Sequence, residues 1–130
     1  MRSITGVAVS VVAFLGFMTY KGATTPEGVS LGAQIPVTVP AGDAEAIAGK
    51  GLVETGGCLN CHMVKGIGGA VGPDLTNEAS KGRGIEWQVD HLRDPKSRVP
   101  GSAMPAQAGL SDEQANQIAT FLEGLGTTYK

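Results

Sequence analysis

The residues of this chain whose types and spacing could do chemistry lie together at Cys58-Leu59-Asn60-Cys61-His62. Two thiols three positions apart fall about one helical turn from each other, and a histidine follows directly. That spacing suits addition of both thiols to the two vinyl groups along one edge of a porphyrin, and C-x-x-C-H is the attachment signature of a c-type haem. The histidine is then carried under the ring, where its Nε2 can ligate the iron. Cys58 and Cys61 are therefore read as covalent anchors of one haem, and His62 as its proximal axial ligand. Two other readings compete. A thioredoxin-like dithiol requires a βαβ context, and no β-rich pattern surrounds the pair. A zinc site needs more ligands, and outside the motif the chain has no cysteine and a single histidine, His91.

The sixth position of the iron decides between carrying electrons and binding a substrate. The candidate is Met104, in Pro100-Gly101-Ser102-Ala103-Met104-Pro105, a segment whose prolines and glycine exclude a helix. Such a loop can pass over the far face of the ring and hold a thioether on the metal. Ligation by His62 and Met104 raises the reduction potential and leaves no open site. A core or surface role for Met104 is the alternative. Of the other methionines, Met1 and Met18 lie in the N-terminal stretch, and Met63 follows the proximal histidine too closely to reach the opposite face. His91, inside a helical pattern from Ile85 to Arg93, is the rival sixth ligand.

Three motifs in order, Cys58-x-x-Cys61-His62, Gly72-Pro73-Asp74-Leu75 and Pro100 to Pro105, followed by a closing amphipathic helix, resemble a small class I monohaem cytochrome c. The resemblance covers about residues 43 to 126. It implies an all-α fold, helices wrapped around one covalently bound haem with an exposed edge. It implies that the Pro73 carbonyl accepts a hydrogen bond from His62 Nδ1 and so fixes its tautomer. It implies that Trp87 donates its indole N–H to a haem propionate, with core packing as the alternative. It also pairs Gly49 on the first helix with Phe121 on the last. Val53 departs from the pattern, standing where the family usually has an aromatic residue.

The elements that must position these residues follow from the chain in order. From Ser3 to Tyr20 no residue is charged, and Val7, Val9, Val11, Val12, Phe14, Leu15, Phe17 and Met18 make the stretch apolar. Its length is close to the about 20 residues a membrane-spanning helix needs. Residues 1–21 are thus predicted to be a single transmembrane anchor, with a cleaved signal peptide as the alternative. Arg2 and the amino terminus place the start in the cytoplasm. The expected location is the bacterial inner membrane, with the haem domain on the periplasmic side, where the family resemblance puts haem attachment. Residues 22–40, with Pro26, Pro36 and Pro40, read as an extended linker, up to roughly 60 Å long at about 3.1 Å per residue. Its Val29, Leu31, Ile35, Val37 and Val39 also offer an apolar surface to another subunit.

Residues 41–130 form the predicted haem domain. Asp43 is a candidate N-cap for a helix to about Glu54 carrying Ile47, Leu52 and Val53. The glycine-rich run from Gly66 to Gly72 suggests close approach of backbone to porphyrin; without the lysine and hydroxyl of a Walker motif it is no phosphate loop. Ile85–Arg93 is a short helix ended before Pro95. Ser111 and Gln114 form a capping box for a last helix whose Ala115, Ile118, Phe121, Leu122 and Leu125 face the core. With Trp87, Phe121 and Tyr129 as its only aromatic side chains, a domain of this size needs the porphyrin to complete its core.

The chain of 130 residues has a net charge of -2, which excludes a strongly basic nucleic-acid binder. With both axial positions filled, the predicted function is one-electron transfer through the exposed haem edge, without enzymatic chemistry of its own. The alternative is a five-coordinate haem enzyme or gas sensor, peroxidase-like or binding nitric oxide, if Met104 does not ligate the iron; a third reading is a structural subunit with a redox-silent haem. The implied partners are redox proteins, as subunits of a respiratory or photosynthetic membrane complex or as partners of a tethered shuttle. Lys65, Lys81, Arg83, Arg93, Lys96 and Arg98 are interspersed with Asp74, Glu78, Glu86, Asp90 and Asp94, so steering is weak and docking is expected to be mainly apolar.

Overall fold

The structure, a computed structural model, describes residues 33–130. The predicted anchor, residues 1–21, lies outside them. Among the described residues no helix is long and apolar enough to cross a membrane.

Helix α1 runs over Ala44–Thr55. Asp43 caps it, its side chain accepting from Ala46 N at 3.1 Å, which satisfies one of the free amides of the first turn. Gly56 and Gly57 end it, Gly57 with φ 83°, a left-handed conformation that costs a glycine little. A single 3-10 turn, Cys58–Asn60, follows. Next come two short antiparallel strands, β1 (Met63–Val64) and β2 (Ile67–Gly68), with Val64 opposite Ile67. The domain is otherwise helical, as expected, and this hairpin of two residues per strand is an addition to it. Lys65 and Gly66 both have positive φ, 50° and 80°, and a two-residue turn of that kind brings the chain back on itself as paired strands.

A second 3-10 turn, Glu78–Lys81, leads to helix α2, Ile85–Arg93. Pro95 opens the single turn α3, Pro95–Arg98, which Asp94 caps. After the loop 99–110, helix α4 spans Asp112–Gly124 with the full capping box of Ser111 and Gln114.

The core forms where α1 and α4 cross. A Cβ on Gly49 would strike the Gln117 carbonyl and the Phe121 Cβ, so only glycine lets the two backbones come this close. Ala115, Ile118, Phe121, Leu122 and Leu125 are all buried, joined by Val53, Leu59, Val64 and Leu92. Ile47 is different: it is 45% exposed, and α1 turns Ala46, Gly49 and Val53 inward instead. Tyr129 stacks on Phe121 and donates its hydroxyl hydrogen to Asp43, tying the last residues to the start of α1. Glu78 is buried, which its charge permits only because Lys81, Arg83 and Gln88 donate to it at 2.6, 3.0 and 3.1 Å.

The segment read as linker, residues 22–40, behaves otherwise where it is described. Ile35 and Val37 are buried in the same core, 2% and 4% exposed. Ile35 N donates to Glu54 Oε1 at 2.7 Å, and Thr38 N approaches the Lys130 carbonyl at 3.4 Å. Their apolar side chains cover the domain's own core, so the packed unit begins before residue 41.

Candidate functional site

The haem motif is held by backbone before any side chain acts. His62 N donates to the Cys58 carbonyl at 2.9 Å, closing one turn that sets the two cysteines beside each other. Gly69 N donates to the Leu59 carbonyl at 2.9 Å and Gly72 N to the Cys61 carbonyl at 2.7 Å, so the following loop lies flat against the motif. The glycines are there for that contact. A Cβ on Gly68 would meet the His62 carbonyl, one on Gly69 the Asn60 carbonyl, and one on Gly72 the His62 ring at 2.7 Å. Gly68, Gly69 and Gly72 thus lie against the backbone and the histidine ring of the motif itself.

His62 Nδ1 lies 2.8 Å from the Pro73 carbonyl. A carbonyl can only accept, so Nδ1 carries the proton and Nε2 keeps its lone pair. The Pro73 loop is in turn braced by Thr76, whose hydroxyl accepts from Lys65 N at 2.8 Å. The Thr76 hydroxyl and amide both donate to Asp74, holding its carboxyl below its usual pKa. Thr76 escaped the sequence reading because nothing in the sequence pairs it with the hairpin turn.

Cys58 is half-buried and Cys61 exposed, and both thiols are free. Burial pushes the Cys58 thiol up, so it stays protonated near neutral pH. Among the described residues no group of three or more His, Cys, Asp or Glu side chains could hold a metal, which leaves the zinc reading without ligands there.

Met104 sits in a loop shaped by its own sequence. Val99, Pro100, Gly101 and Ser102 make a turn closed by Ser102 N to the Val99 carbonyl at 3.0 Å, with Gly101 at φ 82°. The Ser102 hydroxyl then accepts from Met104 N at 3.2 Å. Gln107 fastens the far side: its amide donates to the Leu92 carbonyl at 2.8 Å and its side chain to the Pro105 carbonyl at 2.9 Å. This clasp, which ties the loop to the end of α2, had no signal in the sequence.

Trp87 is half-buried on α2. Its ring stacks on His91 with centroids 4.9 Å apart, and the Arg83 guanidinium covers it at 4.1 Å. His91 Nδ1 is buried and has no hydrogen-bond partner.

These residues fit a porphyrin. Cys58 and Met104, with Ile67, Leu75, Val89 and Leu110, rest on the core yet each keeps some exposed apolar surface for a bound ring to cover. Two free thiols and a bare imidazole nitrogen are the donors a covalent haem takes.

The cytochrome c family model matches residues 46–126, from α1 to just past α4. The chain belongs to the cytochrome c family. It is 30% identical over 101 residues to a cytochrome c of Stellaria longipes, an alignment covering 62% of this chain and 93% of that protein. It is 32% identical over 95 residues to cytochrome c2 of Blastochloris viridis, covering 58% and 72%. Cytochrome c oxidase subunit 2 of Alkalihalophilus pseudofirmus is 34% identical over 85 residues, 59% of this chain but only 25% of that subunit. No solved structure matches. As a c-type cytochrome, the protein binds one haem c covalently, through the cysteine pair at 58 and 61, and transfers electrons to and from redox protein partners.

Proposed function

We propose that this cytochrome is a membrane-tethered one-electron carrier whose haem iron is held by His62 and Met104. The observation that carries the reading is the His62 to Pro73 contact, which leaves Nε2 as the one nitrogen able to bind metal. Haem c supplies the one-electron couple when bound. Cys58 and Cys61 anchor its edge, the Pro73 carbonyl holds the His62 tautomer, and the Gln107 clasp holds the Met104 loop. Trp87 presents its indole N–H to a propionate. Held by His62 and Met104, the haem would have no position open to peroxide or nitric oxide and would supply one-electron transfer.

The uncharged stretch from Ser3 to Tyr20 supports a single N-terminal span in the bacterial inner membrane, with the haem domain on the periplasmic side. Likeness to part of a subunit named for cytochrome c oxidase supports work within, or shuttling to, a respiratory or photosynthetic complex. Purification from native membranes in mild detergent, with mass spectrometry of the intact chain, tests this. The full-length chain with one haem, travelling with a larger complex, supports a subunit; a chain that comes alone and lacks its first residues is a free carrier and removes the tether.

A further inference from the structure

Thr76 joins the hairpin beside the haem motif to the end of α4. Gly72 N donates to the Cys61 carbonyl at 2.7 Å and Leu75 N to the Met63 carbonyl at 2.8 Å, so the chain around Asp74 runs parallel to that around Met63. The next rung of this ladder is made by a side chain: Lys65 N donates to the Thr76 hydroxyl at 2.8 Å. On its other side the same segment meets the residues after α4. A Cβ on Gly126 would strike Asn77 and the Thr76 carbonyl, and Ala79 N donates to the Leu125 carbonyl at 3.2 Å. The stretch that carries Pro73 is thus held from both directions.

Within that stretch lies the peptide that accepts from the histidine. The Pro73 carbonyl and the Asp74 N–H belong to one planar unit, so the direction of the carbonyl follows the conformation at Asp74. Thr76 fixes Asp74, whose carboxylate accepts from Thr76 N at 2.8 Å and from the Thr76 hydroxyl, closing a local turn. A hydroxyl has a single hydrogen. Given to Asp74, it leaves the oxygen's lone pairs facing Lys65 N, and donation to a carboxylate polarises the oxygen into a better acceptor. The chain from Lys65 through Thr76 to Asp74 therefore steadies the Pro73 carbonyl 2.8 Å from His62 Nδ1. A histidine that donates from Nδ1 is a stronger base at Nε2. A stronger base favours ferric iron over ferrous, since the ferric ion carries more positive charge.

We propose that Thr76 is a positioning residue for the axial histidine: its hydroxyl, oriented by Asp74, holds the Pro73 carbonyl on His62 Nδ1 and thereby lowers the reduction potential of the haem. Thr76 acts only through Asp74 and the Pro73 loop. This role rests on the carrier reading, in which His62 ligates the iron.

The test compares midpoint potentials of the haem-loaded wild type, Thr76→Val and Thr76→Ser. Valine keeps the branched shape and the net charge but lacks the hydroxyl, and serine restores it. Ile35→Ala, a neutral change that lowers stability outside residues 58–76, controls for general loosening. Thr76→Val is expected to shift the equilibrium several-fold toward ferrous haem, while Thr76→Ser and Ile35→Ala stay at the wild-type potential. Hydrogen exchange by NMR of the ferrous wild type should show the Lys65 amide and His62 Nδ1–H protected to a similar degree, with His62 Nδ1–H exchanging faster in Thr76→Val. An unchanged potential in Thr76→Val, a serine variant shifted as far as the valine one, or an equal rise in Ile35→Ala overturns the role and leaves the carrier standing. So does a wild-type Lys65 amide that exchanges freely while His62 Nδ1–H stays protected, a result that needs no variant to fold. A wild type with no reversible one-electron wave overturns the carrier reading and this role together.

Discussion

At the scale of single residues the site depends on contacts that tolerate no extra atoms. Gly72 faces the His62 ring so closely that one methyl group must push it aside, because the imidazole is also held by the Pro73 carbonyl. Gly72→Ala is predicted to lower stability by about 1–3 kcal/mol, the usual cost of overpacking, and to broaden the haem Soret spectrum. Guanidinium unfolding and the absorption spectrum of the same sample measure both. Tyr129 makes a second prediction. Its phenol is buried and donates to Asp43, which raises its pKa from 10.0 to about 12. A raised pKa means that the stability it contributes is complete below pH 10 and is lost as pH climbs toward about 12. Tyr129→Phe should therefore be less stable at neutral pH, lacking the hydrogen bond, yet lose less of its stability between pH 10 and 12; melting curves across that range check the sign. Residue roles were also where the sequence said most. Cys58, Cys61 and His62 announce their chemistry by spacing alone, because attachment demands that spacing. Gln107 and Thr76 announce nothing, since a side chain that bridges two loops depends on how the loops meet.

At the scale of elements, the helices and residues 33–40 share one core. The cap at Asp43, the capping box at Ser111 and the buried face of α4 were all legible, because they depend on residues within one turn of each other. The hairpin was not. It rests on Lys65 taking a left-handed conformation that few non-glycine residues adopt, a choice stabilised by its amide bonding to distant Thr76. Residues 33–40 read as linker for a related reason: prolines at 36 and 40 and the lack of helical period describe their backbone correctly, but only the folded domain shows that Ile35 and Val37 are inside. Ile35→Ala is predicted to cost about 2–5 kcal/mol, the range for truncating a buried branched side chain. A chain begun at residue 41 should melt well below one begun at 33. Equal melting temperatures for the two would return residues 33–40 to the role of linker.

At the scale of the whole molecule, the protein is a small core completed by its cofactor and a surface of balanced charge. Cys58, Ile67, Leu75, Val89, Met104 and Leu110 keep exposed apolar area on a core too small to hide it. The haem-free protein is therefore expected to lack a cooperative thermal transition, which calorimetry of protein produced without haem attachment would reveal. The interspersed charges of residues 65–98 give little long-range steering, so electron-transfer rates with the natural partner should change little with ionic strength; a steep fall with added salt would contradict docking through an apolar contact.

The central claim is that both axial positions of the iron belong to this chain, through His62 and Met104. The near-infrared absorption of the oxidised protein tests it most directly, because a thioether bound to ferric haem gives a charge-transfer band there. The account predicts that band in the wild type and its loss in Met104→Ala with the haem still attached. A wild type without the band, carrying a high-spin ferric haem, would contradict the account and make the protein a haem site open to small ligands.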